Sequence, residues 1–571
     1  MPVQPAIPTW FRSPVSRIVL HGVALVSVLY GYMRLMEGFG GFSTLHVHRQ
    51  FAELALVLYF YALSHVALRP SRWRPLLALL PLLLIYLVHD IFYLILGKVL
   101  RLIAIAELPE LLQILPLGYS ALLLAALVLP LGFYLLWLDY ARPRRLALWL
   151  LPLACLVVAV KGTPQAFARS VEQLGAGIVN YSDGKSVEQN GRLAMLAYRE
   201  AQRSIAMAQL EPYRERERYD QEASALADAL RPHLNRRNIH LIVLESFLDP
   251  RLFRELRFSG APAHPAFDKL FDDKLGLSIS PVFGGSTAQA EFEVLCGVPA
   301  FERLSGVEFN VFSGAAAHCL PGTLSALGYR SVASNTYKPN FFNALPAYQG
   351  TGFTESYFPR EFYSAQESYL SVGDPGVEEY LFDRALFRQN LEFVRNHQRD
   401  HPDQPLFNYV LTIYGHTPHL IDTDQRPERI EMDSPYPDDH LHRAVNQFYY
   451  RTEAIAEYLN QLLEMDRDSL IILVSDHVPP LRNGPNTYNA LHYLDNRERS
   501  SYYNRLAVLE NGKARVYPVM HHYELPTLVL DYLSDGEYCR SHPCAFSDTP
   551  RHMPREAYMD RYLRMMAHAA E

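Results

Sequence analysis

Hydrophobic positions are unevenly spread along this chain of 571 residues. In the first 161 residues they form long runs separated by short charged loops. Beyond that they come in short blocks between polar segments. Five runs, roughly 17–36, 51–68, 75–97, 114–138 and 146–161, suit bilayer spans, which take about 20 residues each. The second and fifth are short. Arg12 and Arg17 precede the first run, Arg69, Arg72 and Arg74 follow the second, and Arg142, Arg144 and Arg145 follow the fourth. The opposite loops carry only Arg49, and Lys98 with Arg101. The positive-inside rule then leaves the N-terminus in the cytoplasm and everything after the fifth run outside. The first run is not a cleaved signal on this reading: it is long, lacks an Ala-x-Ala-like end and is followed by four more. His89 and Asp90 fall inside the third run. Ionisable groups there are either functional or satisfied near the interface by water or a neighbouring helix.

Residues 162–237 mix Gly, Ser, Asn and charges and then turn helical. From Leu193 to Leu230, spaced apolar residues among Ala, Glu, Arg and Gln predict amphipathic helices. From about 238 the pattern alternates. Strands are expected at 239–246, 277–282, 329–334, 406–413, 469–475 and 514–520, with helices between them, for example 376–398 and 441–464. That alternation predicts an α/β domain with a mainly parallel sheet. The expected organisation is a five-helix membrane domain (1–161), a juxtamembrane helical linker (162–237) and an extracytoplasmic α/β domain (238–571).

Composition sharpens this picture in two ways. The net charge is −7 and no basic block occurs, which argues against nucleic acid as a partner. Of five cysteines, Cys155 lies in an apolar run and four lie in the outer part. Cys296–Cys319 and Cys539–Cys544 are candidate bridges for an oxidising compartment; four free buried thiols are the other reading.

The chemistry concentrates at strand ends. Asp476-His477 directly follows an apolar run, and Glu245 follows Leu241-Ile242-Val243-Leu244. An acidic group leaving a buried strand needs a partner, and carboxylate plus imidazole suit Zn²⁺ or Mn²⁺. Gly284-Gly285-Ser286-Thr287 is a Gly-rich turn that leads into a helix-like stretch. Thr287 there is either an ordinary N-cap or a hydroxyl nucleophile favoured by the helix N-terminus. His416 follows the strand at 406–413 on the same expected sheet edge, placed to protonate a leaving group or bond a phosphate oxygen. His419 is the alternative. His521 and His522 read as structural.

With these residues in hand, the chain resembles the lipoteichoic acid synthase and phosphoglycerol transferase family, sulfatase-like enzymes of alkaline-phosphatase type. The resemblance rests on Ile242–Phe247, Gly285–Phe292, Ser475-Asp476-His477, His416-Thr417-Pro418 and Glu524–Leu528. It implies one divalent metal, Mn²⁺ first with Zn²⁺ or Mg²⁺ as alternatives, held by Glu245, Thr287, Asp476 and His477. It implies Thr287 as the nucleophile towards phosphatidylglycerol, a glycerophosphoryl-threonine intermediate, and an envelope glycan or glycerophosphate acceptor. It also implies a multi-pass protein of a bacterial inner (plasma) membrane whose catalytic domain faces the periplasm or outside. The family's histidine and arginine that bind glycerophosphate fall at Asn335 and Ala344 here, so Asn335 and Lys338 are the candidate substrate contacts.

Three other readings stand beside it. A phosphoethanolamine transferase acting on lipid A or another envelope glycan shares the spans, threonine and metal, although its relatives carry more outer-domain cysteines. A hydrolytic sulfatase needs a Cys/Ser-x-Pro-x-Arg segment that the nucleophile region lacks. A scaffold with a relic site is the third.

Overall fold

The computed structural model describes residues 14–39, 42, 50–71, 73–96, 99–102, 117–175, 178, 183–272 and 274–571. Arg12, Arg49, Arg72 and Lys98, part of the orienting charge, lie outside that set. The chain divides into two compact units, Met1–Ala208 and Gln209–Glu571.

The first unit is helical. Helices Pro14–Gly38, Phe51–Ala67, Leu80–Leu96, Leu117–Leu136 and Pro143–Gly162 fall on the five apolar runs. By length and composition, one described stretch, Arg74–Leu94, is long and apolar enough to cross a membrane. The amphipathic pattern of the linker becomes Arg192–Gln209 in this unit and Arg216–Leu230 in the other. His89 and Asp90 are fully buried. Asp90 takes the Arg192 guanidinium at 2.7 Å and the Tyr32 hydroxyl at 2.9 Å. Glu53, buried in the second helix, accepts from the Tyr86 hydroxyl and, at 2.7 Å, from the Ala194 N–H in the first turn of Arg192–Gln209. A helix N-terminus has spare N–H groups, and a carboxylate is their natural acceptor.

The second unit is an α/β domain. Its strands are β1 (Ile239–Leu244), β2 (Arg257–Phe258), β3 (Gly276–Ile279), β4 (Arg330–Asn335), β5 (Glu355–Tyr357), β6 (Leu406–Leu411), β7 (Met432–Asp433), β8 (Leu470–Ser475), β9 (Tyr503–Glu510), β10 (Lys513–Arg515) and β11 (Met520–His521). The main sheet runs β11-β3-β9-β8-β1-β6-β4-β5, with β10 on β9. From β8 to β5 every pairing is parallel. β1, β6 and β8 are buried throughout, which is why they read as continuous apolar runs rather than alternating ones. Ile242, Val410 and Leu473 pack in one core with Leu386, Leu391, Phe448, Ile455 and Leu459 from helices Asp383–Asp400 and Asp439–Met465.

Five of the six expected strands form within a few residues of their expected limits. The strand expected at 514–520 does not: Val516–Val519 lies outside any strand, with Pro518 unable to donate to a ladder. The continuous strand here is β9, which sequence reasoning missed. It runs antiparallel to both β8 and β3. Asn511 and Gly512, with φ of 51° and 73°, turn it into β10, as an Asn-Gly hairpin does. Both candidate bridges, Cys296–Cys319 and Cys539–Cys544, are formed.

Candidate active site

β1 and β8 are parallel neighbours in a register that pairs Leu244 with Ser475. The next residues, Glu245 and Asp476, therefore leave the same sheet edge side by side. The Asp476 N–H donates to the Leu244 carbonyl at 3.2 Å. Open α/β sheets place their sites at such C-terminal strand ends. β6 delivers Thr412 to this edge, where its hydroxyl accepts from the Glu245 N–H at 3.0 Å. β9 opposes both its neighbours, so β3 points the same way as β8 and carries the chain to the Gly-rich turn.

That turn needs unusual backbone. Gly284, Gly285 and Ser286 have φ of 67°, 151° and 64°, a conformation glycine adopts freely and other residues rarely. A side chain at Gly284 would also crowd Pro480. The Gly284 N–H donates to the Val478 carbonyl at 3.2 Å, which fastens the turn to the segment after His477. Helix Thr287–Cys296 starts at once, and the Thr287 hydroxyl donates to Glu245 Oε2 at 3.1 Å.

One ligand atom each from Glu245, Asp476 and His477 lies within 4.8 Å of the others, and all three residues are buried. Among the described residues no other group of three meets that criterion. Asp476 Oδ1 accepts from the Ser246 N–H at 2.8 Å and the His477 N–H at 2.6 Å. Asp476 Oδ2 has no hydrogen bond and faces His477 Nε2 at 3.2 Å. Burial, and then repulsion from Glu245, push the Asp476 carboxyl well above its ordinary range. Burial acts the same way on Glu245, but the imidazoles of His477 and His416 more than offset it and hold this carboxyl below its ordinary value. Two buried acids and an imidazole facing one of their oxygens form a donor set that fits a divalent cation. The Thr287 hydroxyl lies beside this set, on Glu245 Oε2.

The structure brings Glu245, Thr287, Asp476 and His477 together. His416 lies near them, half-buried, with Nδ1 2.8 Å from the Thr417 carbonyl and its ring 5.1 Å from that of Tyr380. His419 is fully buried, and burial pushes it down to about 3, so it stays a neutral imidazole. The Lys338 ammonium lies over the rings of Tyr337 and Phe362, at 5.4 and 5.9 Å. Asn335 ends β4 on the same edge, but its amide is engaged: Nδ2 donates to the Tyr348 hydroxyl and Oδ1 accepts from the Tyr337 N–H, both at 2.9 Å.

Sequence reasoning missed three supports. Ser246 takes a positive φ of 47°, and its hydroxyl donates to Glu245 Oε1 at 2.7 Å; backbone in a sparsely populated region is typical of such sites. Arg451 is buried, bonded to Asp383 at 2.6 Å and to the Glu245 carbonyl at 2.8 Å. Gly415 is required beside it, because any side chain there would strike that carbonyl and the guanidinium. A signal for Arg451 existed: it sits on the buried stripe of its helix between Phe448 and Ile455, where a lone cation needs a partner. Glu291, one turn after Thr287, is the third. It accepts from the hydroxyls of Tyr348 and Tyr409 at 2.5 and 2.7 Å. Burial first, with Asp476 and Glu245 adding, pushes it up to about 7.

Residues 237–515 match the family model described as Sulfatase. Two curated relatives resemble the chain. A putative cyclic β-1,2-glucan modification protein of Rhizobium meliloti is 24% identical over 46% of this chain and 38% of its own length. An uncharacterized protein of Haemophilus influenzae is 28% identical over 32% of this chain and 33% of its own. The chain thus matches about a third of the length of each relative. Among solved structures, Streptococcus pyogenes phosphoglycerol transferase GacH in complex with sn-glycerol-1-phosphate is 18% identical, with a TM-score of 0.47 over 61% of this chain and 90% of that one.

Proposed function

We propose that this chain is a membrane-bound, metal-dependent phosphoglycerol transferase that moves glycerophosphate from phosphatidylglycerol to an envelope glycan or glycerophosphate acceptor. The observation that carries this reading is the Thr287 hydroxyl, 3.1 Å from Glu245 beside a buried Glu245, Asp476 and His477 cluster. Covalent catalysis on a phosphate ester needs a hydroxyl fixed at that point, which a pure binding protein does not. The Rhizobium meliloti relative, whose name assigns it to the modification of a cyclic glucan, supports a glycan as the acceptor.

Glu245, Asp476, His477 and Thr287 would hold one divalent cation, which supplies charge to acidify a hydroxyl and polarise a phosphate. Thr287 Oγ1 passes its proton to the Glu245 carboxylate that it bonds and attacks the donor phosphorus, and the bond to the diacylglycerol oxygen breaks; the same proton returns to Thr287 when the ester is resolved. His416 gives that oxygen its proton. The glycerophosphoryl-Thr287 ester is then attacked by an acceptor hydroxyl, which surrenders its proton to His416 as Thr287 leaves. The five apolar helices would cross the inner membrane and keep this centre beside the donor headgroups on the outer side. The two bridged cysteine pairs fit that oxidising side.

A second reading, phosphoethanolamine transfer, is favoured by one feature: Asn335 and Ala344 stand where the phosphoglycerol family carries a histidine and an arginine. Incubation of the purified full chain with Mn²⁺ and phosphatidylglycerol, without acceptor, separates the two by intact mass. A glycerophosphoryl adduct on Thr287 with released diacylglycerol supports the first. An adduct with phosphatidylethanolamine alone moves the reaction to the second, and no adduct with either lipid overturns both.

A further inference from the structure

Helix Thr287–Cys296 must hold Thr287 against Glu245, and the Gly-rich turn before it is too permissive to do this alone. Thr287 and Glu291 are four residues apart, so they share a helix face about 6 Å apart along the axis. Glu291 Oε1 receives two phenols. Tyr409 belongs to β6, where it pairs with Leu241 of the strand that carries Glu245. Tyr348 belongs to helix Ala344–Thr351, and its own oxygen accepts from Asn335 at the end of β4. Glu291, Tyr348, Tyr409 and Asn335 are all at most 5% exposed. A buried carboxyl is tolerable when donors meet it. Here the donors come from the sheet on one side and a helix on the other, so Glu291 has one favourable position and its helix one rotation.

We infer that Glu291 is the positioning residue of the nucleophile: gripped by Tyr348 and Tyr409, it sets the rotation of the helix that presents Thr287 to Glu245, and Asn335 serves this grip rather than the substrate. The inference rests on Thr287 being the nucleophile. It reassigns Asn335, because that buried side chain bonds within the protein through both its amide nitrogen and its amide oxygen. A misplacement of about 1 Å at a reacting atom costs roughly 10²-fold in rate, so a loosened grip acts on the chemical step and leaves donor binding alone.

The test is the rate of Thr287 adduct formation by the full chain on phosphatidylglycerol vesicles with Mn²⁺, with donor KM, bound metal and thermal midpoint measured for each variant. Tyr409→Phe and Tyr348→Phe each remove one donor and should slow adduct formation about 10-fold at unchanged KM and metal content; Glu291→Ala should cost roughly 10²-fold. Glu291→Gln, whose amide oxygen accepts the same two phenols, should restore most of the rate. Asn335→Ala should lower kcat and leave KM alone. Wild-type rates in both Tyr→Phe variants, or a raised KM with intact kcat in Asn335→Ala, overturn the inference. The two Tyr→Phe variants keep the test decisive if Glu291→Ala fails to fold. Thr287→Ala is the control for the underlying reading: an adduct that survives it refutes the nucleophile assignment, whatever the other variants do.

Discussion

In the N-terminal unit the carboxylates of Glu53 and Asp90 are buried and answered by the protein itself. Arg192, Tyr32, Tyr86 and a backbone N–H meet them. In the C-terminal unit those of Glu245 and Asp476 are just as buried, yet Asp476 keeps an oxygen with no hydrogen bond and its carboxyl is driven far from its ordinary range. Burying a charge is costly unless it is paired. The first cluster meets that cost internally and has the look of a brace that seats helix Arg192–Gln209. In the second, Asp476 Oδ2 meets only the His477 imidazole, which leaves that oxygen open to a cation. The contrast separates structural from functional acid without reference to any relative.

The comparison breaks first if the second cluster does no chemistry. Thr287→Ala should abolish both the adduct and transfer, with the thermal midpoint unchanged; transfer at the wild-type rate would remove Thr287 as the nucleophile. Next, Arg192→Met leaves Asp90 buried and unpaired, and loss of one partner of such a pair costs about 3–5 kcal/mol. Denaturant unfolding should show that loss, with part of it recovered in the double variant Arg192→Met, Asp90→Leu. An unaltered midpoint in the single variant would mean that the brace carries no stability.

Metal should sharpen the contrast from the other side. A ligand at about 100 times its Kd stabilises by roughly 2.7 kcal/mol, so added Mn²⁺ or Zn²⁺ should raise the unfolding midpoint of the C-terminal unit and a chelator should reverse it. Asp476→Asn should lose bound metal by elemental analysis along with that response, and Arg192→Met should keep both. Equal metal in Asp476→Asn and wild type would remove Asp476 from the ligand set.

A pH dependence concerns Glu293, two residues beyond Glu291. Burial first, and then the charges of Glu308 and Glu524, raise its carboxyl from 4.5 to about 8. The unfolded chain releases this proton above about pH 4.5 while the folded chain keeps it, so stability falls as pH rises from about 4.5 towards about 8 and levels off beyond. Glu293→Gln should flatten that slope in thermal scans; a slope identical to wild type would place the titration elsewhere.

Much of this was legible in the sequence, for definite reasons. β1, β6 and β8 are buried on both faces, so their apolar runs stand out and the acids at their ends look misplaced. The turn at 284–286 announces itself by two glycines. β9 hid because its polar and apolar residues mix, and its signal lay in Asn511-Gly512 just past its end. Arg451 and Glu291 hid because a charged residue on a helix gives no sign, in sequence alone, of the face it takes. Asn335 was found as a position but not as a role, since what occupies an amide is a property of its neighbours in space.

The bond from Gly284 to Val478 has a kinetic side. It ties the nucleophile turn to the segment after His477, and the grip on Glu291 adds the second tether that keeps the hydroxyl beside Glu245. On the proposed two-step transfer, the leaving alcohol and the incoming one would have to exchange around that fixed turn.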